Sequence, residues 1–153
     1  MSQTGELSRA RQVFFTALGL STVHYIDNTV RFDDYSQGTS GAATRALVPI
    51  VWVLFTAAGL AGLRYLRRGV RSLAGPLLGV YSVSGLIGVL HYTVVSPGDF
   101  DWFQNLSIAG DFLAGAAVMA LAVRVTLGPR RGGRRVNRPP TTTGRSPAGS
   151  AAR

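Results

Sequence analysis

Four long apolar runs alternate with short polar segments along the chain, at about residues 12–31, 47–66, 73–95 and 103–127. Each run is close to the ~20 residues that a transmembrane helix needs to cross a bilayer. A surface helix of a soluble protein has a narrower apolar stripe and a charged opposite face. The pattern therefore predicts an all-α, polytopic membrane protein with a four-transmembrane-helix bundle.

Polar segments separate and flank these runs. Residues 1–11 form a polar leader, residues 32–46 a turn-rich loop, and Ser96–Asp99 a turn. The segment 128–153 is rich in Arg, Gly, Pro, Ser and Thr, has almost nothing to bury, and is predicted to be a disordered cytoplasmic tail. A signal peptide is the competing interpretation of the first run, but His24 and Asp27 interrupt its apolar centre.

Composition narrows the class of protein further. Hydrophobic residues make up 46% of the chain and charged residues only 15%, below the roughly 25% of soluble domains. The net charge of +9 suggests a nucleic-acid binder, but the arginines lie beside apolar runs and in the tail, and the tail has no interleaved aromatic residues to stack on bases. Nucleic acid is therefore a disfavoured partner. The absence of Cys excludes disulfides, thiol catalysis and Cys-ligated metals.

The positions of the arginines predict the orientation. The leader, the short segment between the second and third runs, and the tail hold nearly all of them, whereas the other two loops hold acids and only Arg31 and Arg45. By the positive-inside rule, both termini are expected in the cytoplasm, which agrees with an even number of spans. The sequence therefore predicts a multi-pass protein of the cell (inner) membrane.

Ionisable side chains occur inside these runs, where a membrane helix should avoid them. His24 and Asp27 lie near the end of the first run, His91 near the end of the third, and Asp111 inside the fourth. At about 1.5 Å per residue, Asp111 is on the order of 10 Å below the outer boundary, and both histidines come out at a similar depth. We therefore expect one polar cluster near the outer face.

The spacing of polar residues supports this cluster. His24 and Asp27 are three residues apart and share one helix face. Each of the other runs has one seam of small or polar residues at helical spacing: Trp52, Thr56 and Gly59 in the second, Tyr81, Ser84, Gly88 and His91 in the third, and Ser107, Asp111 and Gly115 in the fourth. These seams are expected to face one another and to leave the remaining surface to lipid.

The sequence leaves three roles open for the cluster, because each ionisable residue in a membrane costs ~2.5–3.5 kcal/mol on insertion scales. The first role is structural, through hydrogen bonds between helices. The second is a zinc or iron site with His24, Asp27, His91 and Asp111 as ligands, although no diagnostic metal-binding spacing occurs. The third is a proton or small-ligand site, since partly buried His and Asp can titrate near neutral pH.

These roles correspond to different functions. The first is a non-enzymatic membrane protein whose cluster binds an ion, a small ligand or a partner, or pins helix packing. A small metal-dependent membrane enzyme and a proton-linked transport subunit are the alternatives. Four spans rarely enclose a pathway alone, so transport implies a homo-oligomer or a membrane-protein partner. Membrane lipids are expected partners, with Arg64, Arg67, Arg68 and Arg71 contacting anionic headgroups.

The residues of the cluster also carry a resemblance. The first run ends in His24, Tyr25, Asp27 and Asn28, a second His ends the third run, and an acid lies in the fourth. In this pattern, over about residues 10–128, the chain resembles small uncharacterised four-helix membrane proteins of actinobacteria. The resemblance implies the four-span architecture and no established activity.

Overall fold

The computed structural model describes residues 3–36 and 42–128, and all regular secondary structure within these ranges is helical. The elements are α1 (Gln3–Val30), α2 (Phe32–Ser36), α3 (Ala42–Arg67), α4 (Arg71–Leu86), a 3₁₀ helix (Ile87–Thr93) and α5 (Trp102–Leu127). The all-helical prediction is therefore confirmed for the described residues. Of the predicted tail at 128–153, only residue 128 is described.

The long helices pack side by side around a shared core. α4 packs along both α3 and α5, and α1 also packs along α3 and α5. α1 and α4 therefore lie across the core from each other, where the rings of Phe14 and Tyr81 meet at a centroid distance of 4.8 Å. Gly59 of α3 leaves room for these rings, because a Cβ at this position would lie 3.0 Å from Tyr81 Cγ.

Charged residues sort to opposite ends of this arrangement. The start of α1, the turn between α3 and α4, and the end of α5 form what we call the arginine-rich end. Gly69 makes that turn tight with a φ of 76°, a backbone conformation that favours glycine. The end of α1, α2 and the start of α5 form the opposite, acidic end, which holds Asp33, Asp34, Asp99 and Asp101 together with Arg31 and Arg45.

Three helical segments are long and apolar enough to cross a membrane: Thr44–Arg67, Arg71–Thr93 and Trp102–Leu127. They correspond to the second, third and fourth predicted runs. α1, which contains the first predicted run, has 28 residues but is not among them. Its apolar character is reduced by polar residues such as His24 and Asp27, and both of these side chains are buried.

The outward surface of α1 nevertheless resembles that of the other helices. Val23, Ile26 and Val30 are exposed at a spacing of three and four residues. They lie on the helix face opposite to Ser21 and His24, which are buried. The second half of α1 therefore presents apolar side chains outward and polar side chains inward, the reverse of a surface helix in a soluble protein.

Two segments differ from the sequence prediction in their extent. α1 begins at Gln3, so the predicted leader is helical as far as it is described, and an ion pair between Glu6 and Arg71 fixes its first turns. α2 forms inside the predicted loop at residues 32–46, because its Phe32 and Tyr35 side chains are buried. Both differences arise from contacts between residues that are distant in the sequence.

The third predicted run changes its winding before it ends. It is α-helical to Leu86 and continues as a 3₁₀ helix from Ile87 to Thr93. A 3₁₀ helix has about three residues per turn, so residues i and i+3 eclipse along its axis. Gly88 and His91 therefore lie in line on one side of this segment. Gly88 is the one farther from the acidic end.

Close packing of α4 and α5 gives a first prediction. A Cβ at Gly115 would lie 2.8 Å from Ser82 O and 2.9 Å from Leu86 N. We expect Gly115→Ala to lower the free energy of unfolding by about 1–3 kcal/mol, the usual cost of overpacking. Equilibrium unfolding in mixed detergent micelles measures this loss.

The matched control is Gly19→Ala, because a Cβ at Gly19 meets nothing within 4 Å. Alanine is favoured over glycine inside a helix, so this variant should be neutral or more stable by about 0.5–1 kcal/mol. Equal effects of the two substitutions would mean that α4 and α5 do not approach as described.

Candidate functional site

Polar side chains from five elements fill the core toward the acidic end. We call this set the polar cluster; its members are Ser21, His24, Asp27, Asn28, Tyr35, Tyr81, His91, Ser107 and Asp111. All four ionisable residues predicted from the sequence belong to it. His24 and Asp111 are the most enclosed of these four, with 2% and 1% of their surfaces exposed.

His24 is held by α5 in a defined tautomer. Its Nδ1 lies 3.3 Å from Ser107 Oγ, and that hydroxyl donates its own hydrogen to the Gln104 carbonyl at 2.9 Å. The Ser107 oxygen must therefore accept from His24, which puts the hydrogen on Nδ1. Nε2 of His24 is left as a hydrogen-bond acceptor.

His91 is held by α1 in the complementary way. Asn28 Nδ2 lies 3.1 Å from His91 Nε2, and an amide nitrogen can only donate. Nε2 of His91 is therefore the acceptor, and the ring is neutral in this arrangement. The rings of His91 and His24 lie edge to face with a centroid distance of 5.6 Å.

Asp27 has partners that compensate for its charge. Tyr35 donates a hydrogen bond of 2.6 Å to Asp27 Oδ2, and Arg31 Nε lies 3.4 Å from Asp27 Oδ1. Arg31 also pairs with Asp101, the N-cap residue of α5. Burial, together with the hydrogen bond to Asp27, raises the pKa of the Tyr35 hydroxyl. Asp27 is thus an anchor that joins α1, α2 and α5.

Asp111 has no such compensation. Its Oδ2 atom is buried without a hydrogen-bond partner among the described residues, as are Ser21 Oγ and the Tyr81 hydroxyl. Ser21 lies beside both Asp111 and Tyr81, but outside hydrogen-bond geometry. Trp52 Nε1 and Thr56 Oγ1 of α3 are in the same state. Buried polar atoms are nearly always paired, so this concentration of unpaired atoms is unusual.

Gly88 provides space between His24 and Asp111. A side chain at this position would place its Cβ 3.6 Å from His24 Nε2 and 4.0 Å from Asp111 Oδ2. The acceptor nitrogen of His24 and the unpaired oxygen of Asp111 therefore face the same small volume. The 3₁₀ winding places His91 directly above it, on the side of the acidic end.

An open groove reaches the cluster from the outside. It has a volume of ≈ 240 Å³ and lies between α1, α2, α3 and the 3₁₀ helix. Its polar lining consists of Asn28, Tyr35 and His91, next to Thr44 and Ser36. Three members of the polar cluster therefore line the groove, and His91 is the most exposed of them.

The geometry does not assemble the predicted metal ligands. In the part of the chain that the structure describes, no three His, Asp or Glu side chains form a group that could hold a metal ion. Asp27 is occupied by Tyr35 and Arg31, and one nitrogen of each histidine is occupied by a neighbour. The zinc or iron site with His24, Asp27, His91 and Asp111 thus stays a prediction without geometric support.

The four arginines predicted to contact lipid lie in different surroundings in the structure. Arg64 and Arg67 line a second groove at the arginine-rich end, together with Arg11. Arg71 instead pairs with Glu6, and Arg68 lies in the turn after α3. The lipid contact of these four residues stays a prediction.

Tyr35 is the cluster residue that the sequence did not indicate. Its ring lies 4.7 Å from that of His91 and 5.9 Å from that of His24, measured between centroids. It belongs to a segment expected to be a loop, and its partners are eight or more residues away. The one available signal is the aromatic pair Phe32 and Tyr35 within an otherwise polar stretch.

The search for relatives found no match to this chain among protein family models, curated proteins or solved structures. The chemistry of the polar cluster is therefore argued from its geometry alone.

The hydrogen bond between Tyr35 and Asp27 gives a second prediction. Tyr35→Phe removes a buried donor to a carboxylate, and we expect it to lower the free energy of unfolding by about 1–3 kcal/mol. The matched control is Tyr65→Phe, because Tyr65 packs against the apolar core and its hydroxyl makes no hydrogen bond to a described residue. Thermal unfolding in mild detergent, followed by circular dichroism, compares the two, and equal melting temperatures would contradict the anchoring role of Tyr35.

Proposed function

We propose that this chain is an integral membrane protein with four spans, and that α1 is the span that hydropathy alone overlooks. The support is the inverted pattern of α1, with Val23, Ile26 and Val30 outward and its polar residues buried. Buried polar residues lower the hydropathy of a helix without contacting lipid. Lipid therefore meets apolar side chains around the whole set of helices.

We further propose that the arginine-rich end faces the cytoplasm of the cell membrane. The support is the division of charge between the two ends, which matches the positive-inside rule. In this orientation the termini are cytoplasmic and the polar cluster lies toward the outer face. The resemblance to small four-helix membrane proteins of actinobacteria agrees with this topology and stays a prediction.

The function we propose for the polar cluster is reversible proton binding at Asp111. The observation that carries this proposal is the unpaired Asp111 Oδ2, which is buried beside two further unpaired hydroxyls. An isolated ionised carboxylate in an apolar environment costs far more than a neutral carboxylic acid. Asp111 therefore carries a proton in the arrangement described, and it has a candidate acceptor across the space over Gly88, His24 Nε2.

The histidines supply a route between Asp111 and the surface. The proton passes from Asp111 Oδ2 to His24 Nε2 over Gly88. It continues to His91, whose ring lies 5.6 Å from that of His24, when Asn28 Nδ2 releases His91 Nε2 and leaves that nitrogen free to accept. His91 opens onto the groove at the acidic end. Imidazole suits this role because each ring has one nitrogen that can donate and one that can accept a proton. Asp27 does not take part, because its two oxygens are already paired with Tyr35 and Arg31.

A purely structural role is the competing interpretation. Some residues of the polar cluster fit that role, and Asp111 fits proton binding better. Asp27, Asn28 and Tyr35 have partners and fit helix pinning. Asp111 is different, because a residue retained for packing would have its hydrogen bonds satisfied. The proposal therefore assigns anchoring to the residues near the acidic end and proton binding to Asp111.

Infrared difference spectroscopy tests the proposal in the full chain in detergent. We expect a carboxylic-acid C=O band that is present at low pH and is lost as the pH is raised, because the band belongs to the protonated form of Asp111. The band should be absent in Asp111→Asn and unchanged in Asp99→Asn, an exposed acid at the same end of the protein. Replacing His24 with Phe should keep the band and slow its response to a pH jump.

Circular dichroism of each variant establishes that it is folded. A folded Asp111→Asn variant with the same infrared response as the wild-type protein would contradict proton binding at Asp111. So would a wild-type band that does not respond to pH, which would leave the structural role.

A further inference from the structure

A second groove lies between α1 and α3 at the arginine-rich end, far from the polar cluster. Its volume is ≈ 370 Å³. Its lining combines three guanidinium groups with apolar side chains, the main ones being Arg11, Phe15, Leu60, Ala61, Arg64 and Arg67. No residue of the proton-binding site takes part in it.

The two helices give this groove a charged rim and an apolar floor. Arg11 and Phe15 are four residues apart on α1, and Leu60 and Arg64 are four residues apart on α3, so each pair shares one helix face. The helices run in opposite directions, because α1 begins and α3 ends at this end. Each arginine therefore lies about one turn nearer the end of the protein than its apolar partner.

The charges at the rim are available to a ligand. None of the three arginines forms an ion pair with a described residue, whereas Arg71 nearby pairs with Glu6. Phe15 and Leu60 are 49% and 45% exposed, so the floor is also uncovered. Ala61, which is small and half-buried, keeps the groove open between them.

We infer that this groove binds one anionic phospholipid from the cytoplasmic leaflet. The phosphate lies among the guanidinium groups of Arg11, Arg64 and Arg67, and one acyl chain lies along Phe15 and Leu60. Arginine suits this role because its planar fork donates paired hydrogen bonds to phosphate oxygens. A free phosphate ion would use only the rim, and the apolar floor favours the lipid. The inference rests on the proposed membrane orientation but not on proton binding.

Native mass spectrometry of the full chain in neutral detergent tests this inference. The probes are phosphatidylglycerol and phosphatidylcholine with the same acyl chains. We expect one phosphatidylglycerol per chain to be retained in preference to phosphatidylcholine. In the double variant Arg11→Gln, Arg64→Gln, we expect retention to weaken roughly 30-fold, from about 1 kcal/mol per arginine.

The matched control is the double variant Arg9→Gln, Arg68→Gln. It removes the same charge from the same end, at two exposed arginines that do not line the groove. It should retain the lipid almost as the wild-type protein does. Ala61→Trp, which fills the groove without changing its charge, should release the lipid.

Equal losses in the two double variants would overturn the inference, because they would indicate a diffuse charge effect. Retention by Ala61→Trp, or displacement of the lipid by inorganic phosphate alone, would also overturn it. Asp111→Asn should retain the lipid normally, so failure of the groove and failure of the proton-binding site give separate results.

Discussion

The cost of placing ionisable groups among apolar helices constrains this structure more than any single contact. Three of the four such groups in the polar cluster have partners: Asp27 has Tyr35 and Arg31, His91 has Asn28, and His24 has Ser107. These partners come from α1, α2, the 3₁₀ helix and α5, so compensation of charge also fixes how those elements pack. Asp111 is the exception. A neutral, protonated carboxyl group is the state that suits a buried acid without a counter-charge. The packing that leaves Asp111 without a partner is therefore also what favours proton binding at this residue.

The winding of the third long segment determines what Asp111 can reach. Had the α-helix continued past Leu86, residues 88 and 91 would not eclipse along the axis. The 3₁₀ turns place Gly88 over the space shared by His24 and Asp111, with His91 above it on the side of the groove. Long 3₁₀ stretches are uncommon and often mark a hinge. The same segment thus carries the partly exposed His91 and, at Gly88, leaves the space next to His24 and Asp111.

The sequence predicted much of this arrangement, because helical spacing alone brings His24, Asp27, His91 and Asp111 to facing seams at similar depth. It did not predict Tyr35, because the short helix that carries it is stabilised by burial against residues distant in the sequence. Nor did it predict the groove that contains Arg11, because spacing within one helix does not reveal which helices are neighbours. Hydropathy does not identify α1 as a span, since a scale averages over its buried polar face and its exposed apolar face.

The central claim is that α1 crosses the membrane with its polar face inward, and site-directed thiol labelling tests it most directly. The chain has no Cys, so single cysteines can be introduced without removing native ones. In intact cells, an impermeant reagent should label Asp34→Cys and Asp99→Cys, and it should label Thr4→Cys and Arg68→Cys only after permeabilisation. Labelling of Thr4→Cys and Asp34→Cys from the same side would contradict the account, because α1 would then lie along the membrane or outside it.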